Sequence, residues 1–91
     1  MERKINLKRA PFKSAALQYI ESNPGQTKWR VVHLGQSVRL PNQTVGYRYA
    51  AVNDLIREGL VENRGRPNFS ALYLTEAGQE VLRFYYEEVE Q

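Results

Sequence analysis

Val52-Asn53-Asp54-Leu55-Ile56-Arg57-Glu58-Gly59-Leu60-Val61 is the stretch that decides the architecture. Up to Glu58 it completes a helical pattern, because Val45, Tyr49, Val52 and Ile56 recur at spacings of four, three and four, with Leu55 beside them. The spacing predicts a helix from about Gln43 to Glu58, with Asn42 or Thr44 as its N-cap. Gly59 stands where the chain must turn through left-handed backbone, so that Leu60 can fold back on Leu55 in a Schellman ending. Leu60 to Asn63 then reads as a strand, with only Gly59 between it and the helix.

Outward from this stretch the remaining elements fall into place. Phe69 to Leu74 reads as a second strand, with Leu72 and Leu74 alternating onto the core face. Arg64-Gly65-Arg66-Pro67-Asn68 joins the two strands into a hairpin with a basic tip. Thr75 caps a further helix from Glu76 to near Glu90, and Glu76 suits its positive first turn. Glu87, Glu88 and Glu90 oppose the dipole at the far end, so the last turn is expected to fray.

On the N-terminal side, Pro11 opens a helix that runs to Ser22, with Phe12, Ala16, Tyr19 and Ile20 on one face. Asn23-Pro24-Gly25 ends it. Residues 27–38 read as a short helix capped by Thr27, with Val31, Leu34 and Val38 at helical spacing. Trp29, Val31 and Val32 also favour a strand, so a residue or two of strand is allowed before that helix. Arg39-Leu40-Pro41-Asn42 is a turn. Residues 1–10 read as a basic arm, and residues 11–91 as one domain.

Helix, helix, turn, longer helix, two-stranded hairpin, helix is the order of a winged helix-turn-helix. The expected fold class is therefore α+β: a three-helix core with a two-stranded wing and a C-terminal helix. The quoted stretch from Val52 to Val61 resembles a recognition helix running into the first wing strand. Leu72-Tyr73-Leu74-Thr75-Glu76-Ala77-Gly78-Gln79-Glu80-Val81-Leu82 resembles the second wing strand and following helix of MarR/PadR-like regulators. The resemblance covers about residues 12–82. The chain is shorter than those regulators, without long flanking dimerisation helices, and in size it also resembles small phage- or plasmid-type regulators. Ligand binding and dimer geometry therefore do not carry over.

Composition narrows the function. Of 91 residues, 42% are hydrophobic and 25% charged, with a mean hydropathy of −0.60, which suits a small soluble domain. No cysteine is present, and His33 and Asp54 are the lone histidine and aspartate, so no nucleophile–base set, metal cluster or phosphate loop can be assembled. An enzyme is not expected, nor a cofactor or metal. No small-molecule effector is identifiable. No apolar run approaches a membrane span and no signal peptide is visible, so a cytoplasmic location is expected, at the nucleoid when DNA is bound.

The net charge of +3 hides a gradient. Residues 1–13 hold five basic groups and one acidic, residues 14–75 seven and four, and residues 76–91 one and five. A basic front and middle with an acidic end points to a polyanion on one side. With Val45, Tyr49, Val52 and Ile56 inward, Gln43, Tyr47, Ala50, Ala51 and Asp54 face outward and Arg48 flanks them. Gln43, Thr44, Tyr47 and Arg48, at the N-terminal part of the long helix, are then the expected major-groove contacts. Arg64-Gly65-Arg66-Pro67 is similar to the core of the AT-hook: glycine permits close approach, and arginines suit the potential of a narrow minor groove. Lys28, Arg30 and Arg39 are expected over the phosphate backbone, with Arg3, Lys4, Lys8 and Arg9 of the arm as further candidates.

His33 reads as a surface or half-buried residue and Trp29 as packing in the core or at a groove edge. Phe84, Tyr85 and Tyr86 cover too much of a helix circumference for one small core. With Leu82 and Val89 they are the expected homodimer interface, the alternative being that they pack on the domain's own first helix. The expected function is a dimeric, double-stranded-DNA-binding transcriptional regulator. The competing reading is a winged-helix adaptor that binds protein without touching DNA.

Overall fold

The computed structural model describes residues 11–35, 44–66 and 68–89, with the backbone alone for 88 and 89. Its elements are α1 (Pro11–Ser22), α2 (Lys28–Leu34), α3 (Val45–Arg57), β1 (Val61–Asn63), β2 (Leu72–Leu74) and α4 (Glu76–Val89). Four helices and a two-stranded antiparallel sheet give the α+β order expected. Residues 1–10, Arg39 to Gln43, Pro67 and Glu90 lie outside the described residues. The arm, the Arg39–Asn42 turn, Val38, Gln43 and the fraying of the last turn are not placed by it.

In α1, Phe12, Ala16, Leu17 and Ile20 are fully buried. Leu17 takes the centre of the buried face, and Tyr19, expected there, packs at its rim. The Thr27 hydroxyl caps α2 by accepting from the Arg30 amide at 3.1 Å. Just before it, Gln26 bridges antiparallel to Leu72, whose amide donates to the Gln26 carbonyl at 2.9 Å. That bridge is the strand residue allowed ahead of α2. Val31 and Val32 are buried, whereas Leu34 is exposed and does not share their face.

Thr44 caps α3, accepting from the Tyr47 amide at 3.0 Å. The burial of α3 corrects the expected orientation. Ala51, Val52 and Leu55 face the core, Tyr49 and Ile56 lie at its margin, and Val45 is exposed. Two overlapping stripes share Val52, and the one through Leu55 wins because the C-terminal turn closes on it. The Leu60 amide donates to the Leu55 carbonyl and the Gly59 amide to the Ile56 carbonyl, both at 3.0 Å. Gly59 has φ 82°, which completes the Schellman ending. Relative to expectation the helix is turned by roughly one residue, about 100°, so Ala51 faces inward and not outward.

β1 and β2 pair Val61 with Leu74, Glu62 with Tyr73 and Asn63 with Leu72. The same register continues to a bridge between Arg66 and Phe69, whose amides and carbonyls exchange two hydrogen bonds of 3.0 Å. Val61 and Leu72 complete the core with Leu60 and Leu82. Each such fully buried aliphatic side chain contributes roughly 1.5–3 kcal/mol.

The Thr75 hydroxyl starts α4, donating to the Gly59 carbonyl at 2.6 Å and accepting from the Gly78 amide at 3.0 Å. Leu82 has no exposed surface and belongs to the core of the single chain, so it is removed from the expected dimer interface. Tyr85 and Tyr86 pack against that core, and the Tyr86 hydroxyl donates to Glu21 of α1 at 3.2 Å. The domain thus takes up two of the three consecutive aromatics itself. Phe84 stays 55% exposed, and the side chain of Val89 lies outside the described residues.

Candidate nucleic-acid interface

The outward line of α3 is Gly46, Ala50, Asn53 and Arg57, at spacings of four, three and four, all exposed. Tyr47 flanks this line and is 52% exposed. Gly46 and Ala50 leave the N-terminal half of the line nearly free of side-chain bulk. Arg48 precedes Val52 and Leu55 by four and seven residues, so it lies on the inward side of the helix and is half-buried. Asp54 does not face outward freely: it pairs with Arg57 and lies 4.0 Å from Lys13 of α1. Thr44 is exposed, with its hydroxyl engaged in the cap.

Lys28 connects three elements. Its amide donates to the Ser70 hydroxyl at 2.7 Å, and its Nζ donates to Asn53 Oδ1 at 2.9 Å. The start of α2, the outward face of α3 and the hairpin one residue from its Arg66–Phe69 rung are thereby joined through one residue. Arg30, two residues further along α2, is exposed and makes no ion pair among the described residues. Trp29 is 55% exposed and stacks on His33 with centroids 4.6 Å apart. His33 meets the edge of Tyr49 on α3 at 6.1 Å. Trp29 is thus not a core residue, and the row of rings braces α2 against α3 on the solvent side.

The hairpin beyond β1 is exposed from Glu62 to Arg66 and again at Asn68 and Phe69. Arg64 lies over the Tyr73 ring, 4.4 Å from its centroid, and pairs with Glu62. Its charge is matched part-way along the wing. Arg66 stands at the tip without an ion pair among the described residues. Gly65 has an internal role: a Cβ there would lie 2.1 Å from the Phe69 carbonyl oxygen and 2.8 Å from the Ala71 amide. Asn63 Oδ1 accepts from the amides of Gly65 and Ala71, at 2.8 and 3.0 Å, which braces the tip from inside.

The structure therefore joins Lys28 to Asn53, leaves Thr44 and Tyr47 exposed at the start of α3, and places Arg64, Gly65 and Arg66 on the wing. Asn53 and Phe69 escaped the sequence reading. Leu72 and Leu74 face the core, so strand alternation already sends Phe69 and Tyr73 to the other side. Among the described residues no three His, Cys, Asp or Glu side chains form a metal-holding group, and no helix is long and apolar enough to cross a membrane.

A short capped helix, a second helix carrying a solvent-facing line, and a basic hairpin on the same body define a winged helix-turn-helix domain. Solved structures have the same fold. SSV1 F-93 matches with a TM-score of 0.69 and 25% identity over 87% of this chain and 86% of its own. Streptococcus pneumoniae FabT, solved in complex with DNA, matches at 0.65 and 22% over 94% of this chain and 55% of its own. A multiple antibiotic-resistance repressor (MarR) from Listeria monocytogenes matches at 0.61 and 24% over 87% and 55%. The chain thus spans 86% of F-93 and little more than half of FabT and of the Listeria repressor. These neighbours agree with the winged-helix and MarR-type resemblance carried by the wing and α4. No family model and no curated protein sequence matches the chain.

Proposed function

We propose that the domain binds double-stranded DNA as a regulator of transcription, with α3 in the major groove and the hairpin tip in the adjacent minor groove. The observation that carries this reading is the Lys28 tie. It joins the smooth outward line of α3 and a hairpin tipped by Arg66 through one residue, which supports their acting together as a reader. Gly46 and Ala50 let the helix approach base edges, Tyr47 borders the contact, and the Asn53 amide nitrogen is left to donate to a base. Lys28 and Arg30 serve the phosphates, with Arg39 a further candidate by its sequence position alone, and Arg66 enters the minor groove ahead of Arg64. Thr44, exposed at the cap, adds to the contact, Arg48 reaches it from the inward flank of the helix, and Gln43 and the basic residues of 1–10 are further candidates by sequence position. FabT was solved with DNA, and its shared fold supports the same docking here. Two copies meeting through the α4 surface around Phe84 place half-sites one helical turn apart, about 34–36 Å.

A selection of bound duplexes from a random pool, followed by salt titrations of variants, tests the reading. Tyr47→Ala is expected to relax sequence preference and Arg66→Ala to lower the salt slope by about one, each with roughly tenfold weaker binding. Absence of binding to any duplex at low salt overturns it in favour of the protein-binding adaptor.

A further inference from the structure

Phe69 is the most exposed large apolar side chain in the described structure, at 73%. It is not scattered at random over the surface. It pairs directly with Arg66 across the last rung of the hairpin. Opposite residues of an antiparallel pair project to the same face, so Phe69 and Arg66 share the outward side of the wing, in line with Arg64 and Tyr73. The tip beneath it is stiff. Gly65 packs into the Phe69 carbonyl at a distance no side chain tolerates, and the Asn63 carboxamide holds the amides on either side. Among the described residues, this ring at the end of a braced hairpin is left in the open. Arg66 beside it, which makes no ion pair among the described residues, suits a polyanion as the surface that covers it.

We infer that Phe69 is a wedge: the wing tip inserts this ring partly between two base pairs from the minor groove and kinks the duplex there. The inference rests on the DNA-binding reading above and deepens it. Apolar side chains inserted from the minor groove unstack a step and bend the helix away from the protein, toward the major groove. Pyrimidine–purine steps unstack at least cost, whereas A-tracts are stiff. Arg66 favours A·T pairs and Phe69 favours a deformable step, and a TA step satisfies both. The wing therefore selects a TA step within an A·T-rich segment over an A-tract of the same base content.

The test uses the full chain and the duplex selected from the random pool, carrying donor and acceptor dyes at its ends. A second duplex has the TA step under the wing replaced by AA. Wild type is expected to shorten the end-to-end distance of the TA duplex and to bind it about tenfold more tightly than the AA duplex. Phe69→Ala is expected to abolish both the bend and the discrimination while keeping the salt slope, since it removes no charge. Phe69→Leu retains an apolar wedge and is expected to keep most of the bend. Both substitutions lie outside the core, and a thermal melt verifies the fold.

An unchanged bend and unchanged discrimination in Phe69→Ala overturns the wedge and leaves DNA binding standing. A lower sedimentation mass of Phe69→Ala without DNA shows that a second copy covers the ring, and overturns it too. Failure of wild type to bind any duplex overturns the wedge together with the reading beneath it.

Discussion

Gly46 sits in the first turn of α3, and a methyl group placed on it meets only the Thr44 hydroxyl, at 4.0 Å. Glycine in a helix costs about 0.5–1 kcal/mol relative to alanine, and nothing inside the domain offsets that here. Gly59 differs, since its φ of 82° is required by the turn into β1. In the proposed docking Gly46 belongs to the contact surface, where a missing side chain shortens the distance to a base edge. Gly46→Ala is accordingly expected to raise stability by up to about 1 kcal/mol in a thermal melt and to weaken duplex binding. Equal or tighter binding by the variant would remove Gly46 from the interface.

Among the elements, those with chemical punctuation were legible. Pro11 and Asn23-Pro24-Gly25 bound α1, Thr75 starts α4, and Gly59-Leu60 closes α3 as the residues imply. The rotation of α3 was not legible. Stripes through Tyr49 and through Leu55 share Val52, and the choice depends on partners distant in sequence: Leu60 returns to Leu55, while Tyr49 is drawn aside to His33. Of the candidate site, the basic tip could be read from Arg64-Gly65-Arg66, but the withdrawal of Arg64 onto Tyr73 and Glu62 needed the hairpin register. The docking of α4 on α1 has a pH signature. Burial first, and then the Glu21 carboxylate, raise the ionisation of Tyr86 above its ordinary 10.0. The stabilisation is present below that value and is lost as pH rises through the raised one. Chemical-denaturation midpoints measured from pH 9 upward are expected to fall less steeply for Tyr86→Phe than for wild type; parallel curves would place the alkaline sensitivity elsewhere.

For the whole molecule, the acidic end of the chain is carried largely by α4, the element that the proposed docking keeps away from DNA. Tyr85 and Tyr86 serve the chain's own core, so any self-association through α4 depends on the exposed Phe84 and its surroundings. Phe84→Glu is expected to halve the mass seen in sedimentation velocity without unfolding the domain, and an unchanged dimer mass would move the interface off this surface. The Lys28 tie bears on length as well as on shape. With α2, α3 and hairpin joined at Lys28, the proposed reader acts as a calliper of set span. In the proposed docking, an extra base pair between the two grooves turns one contact by about 35° relative to the other, and a reader tied at Lys28 is expected not to follow it.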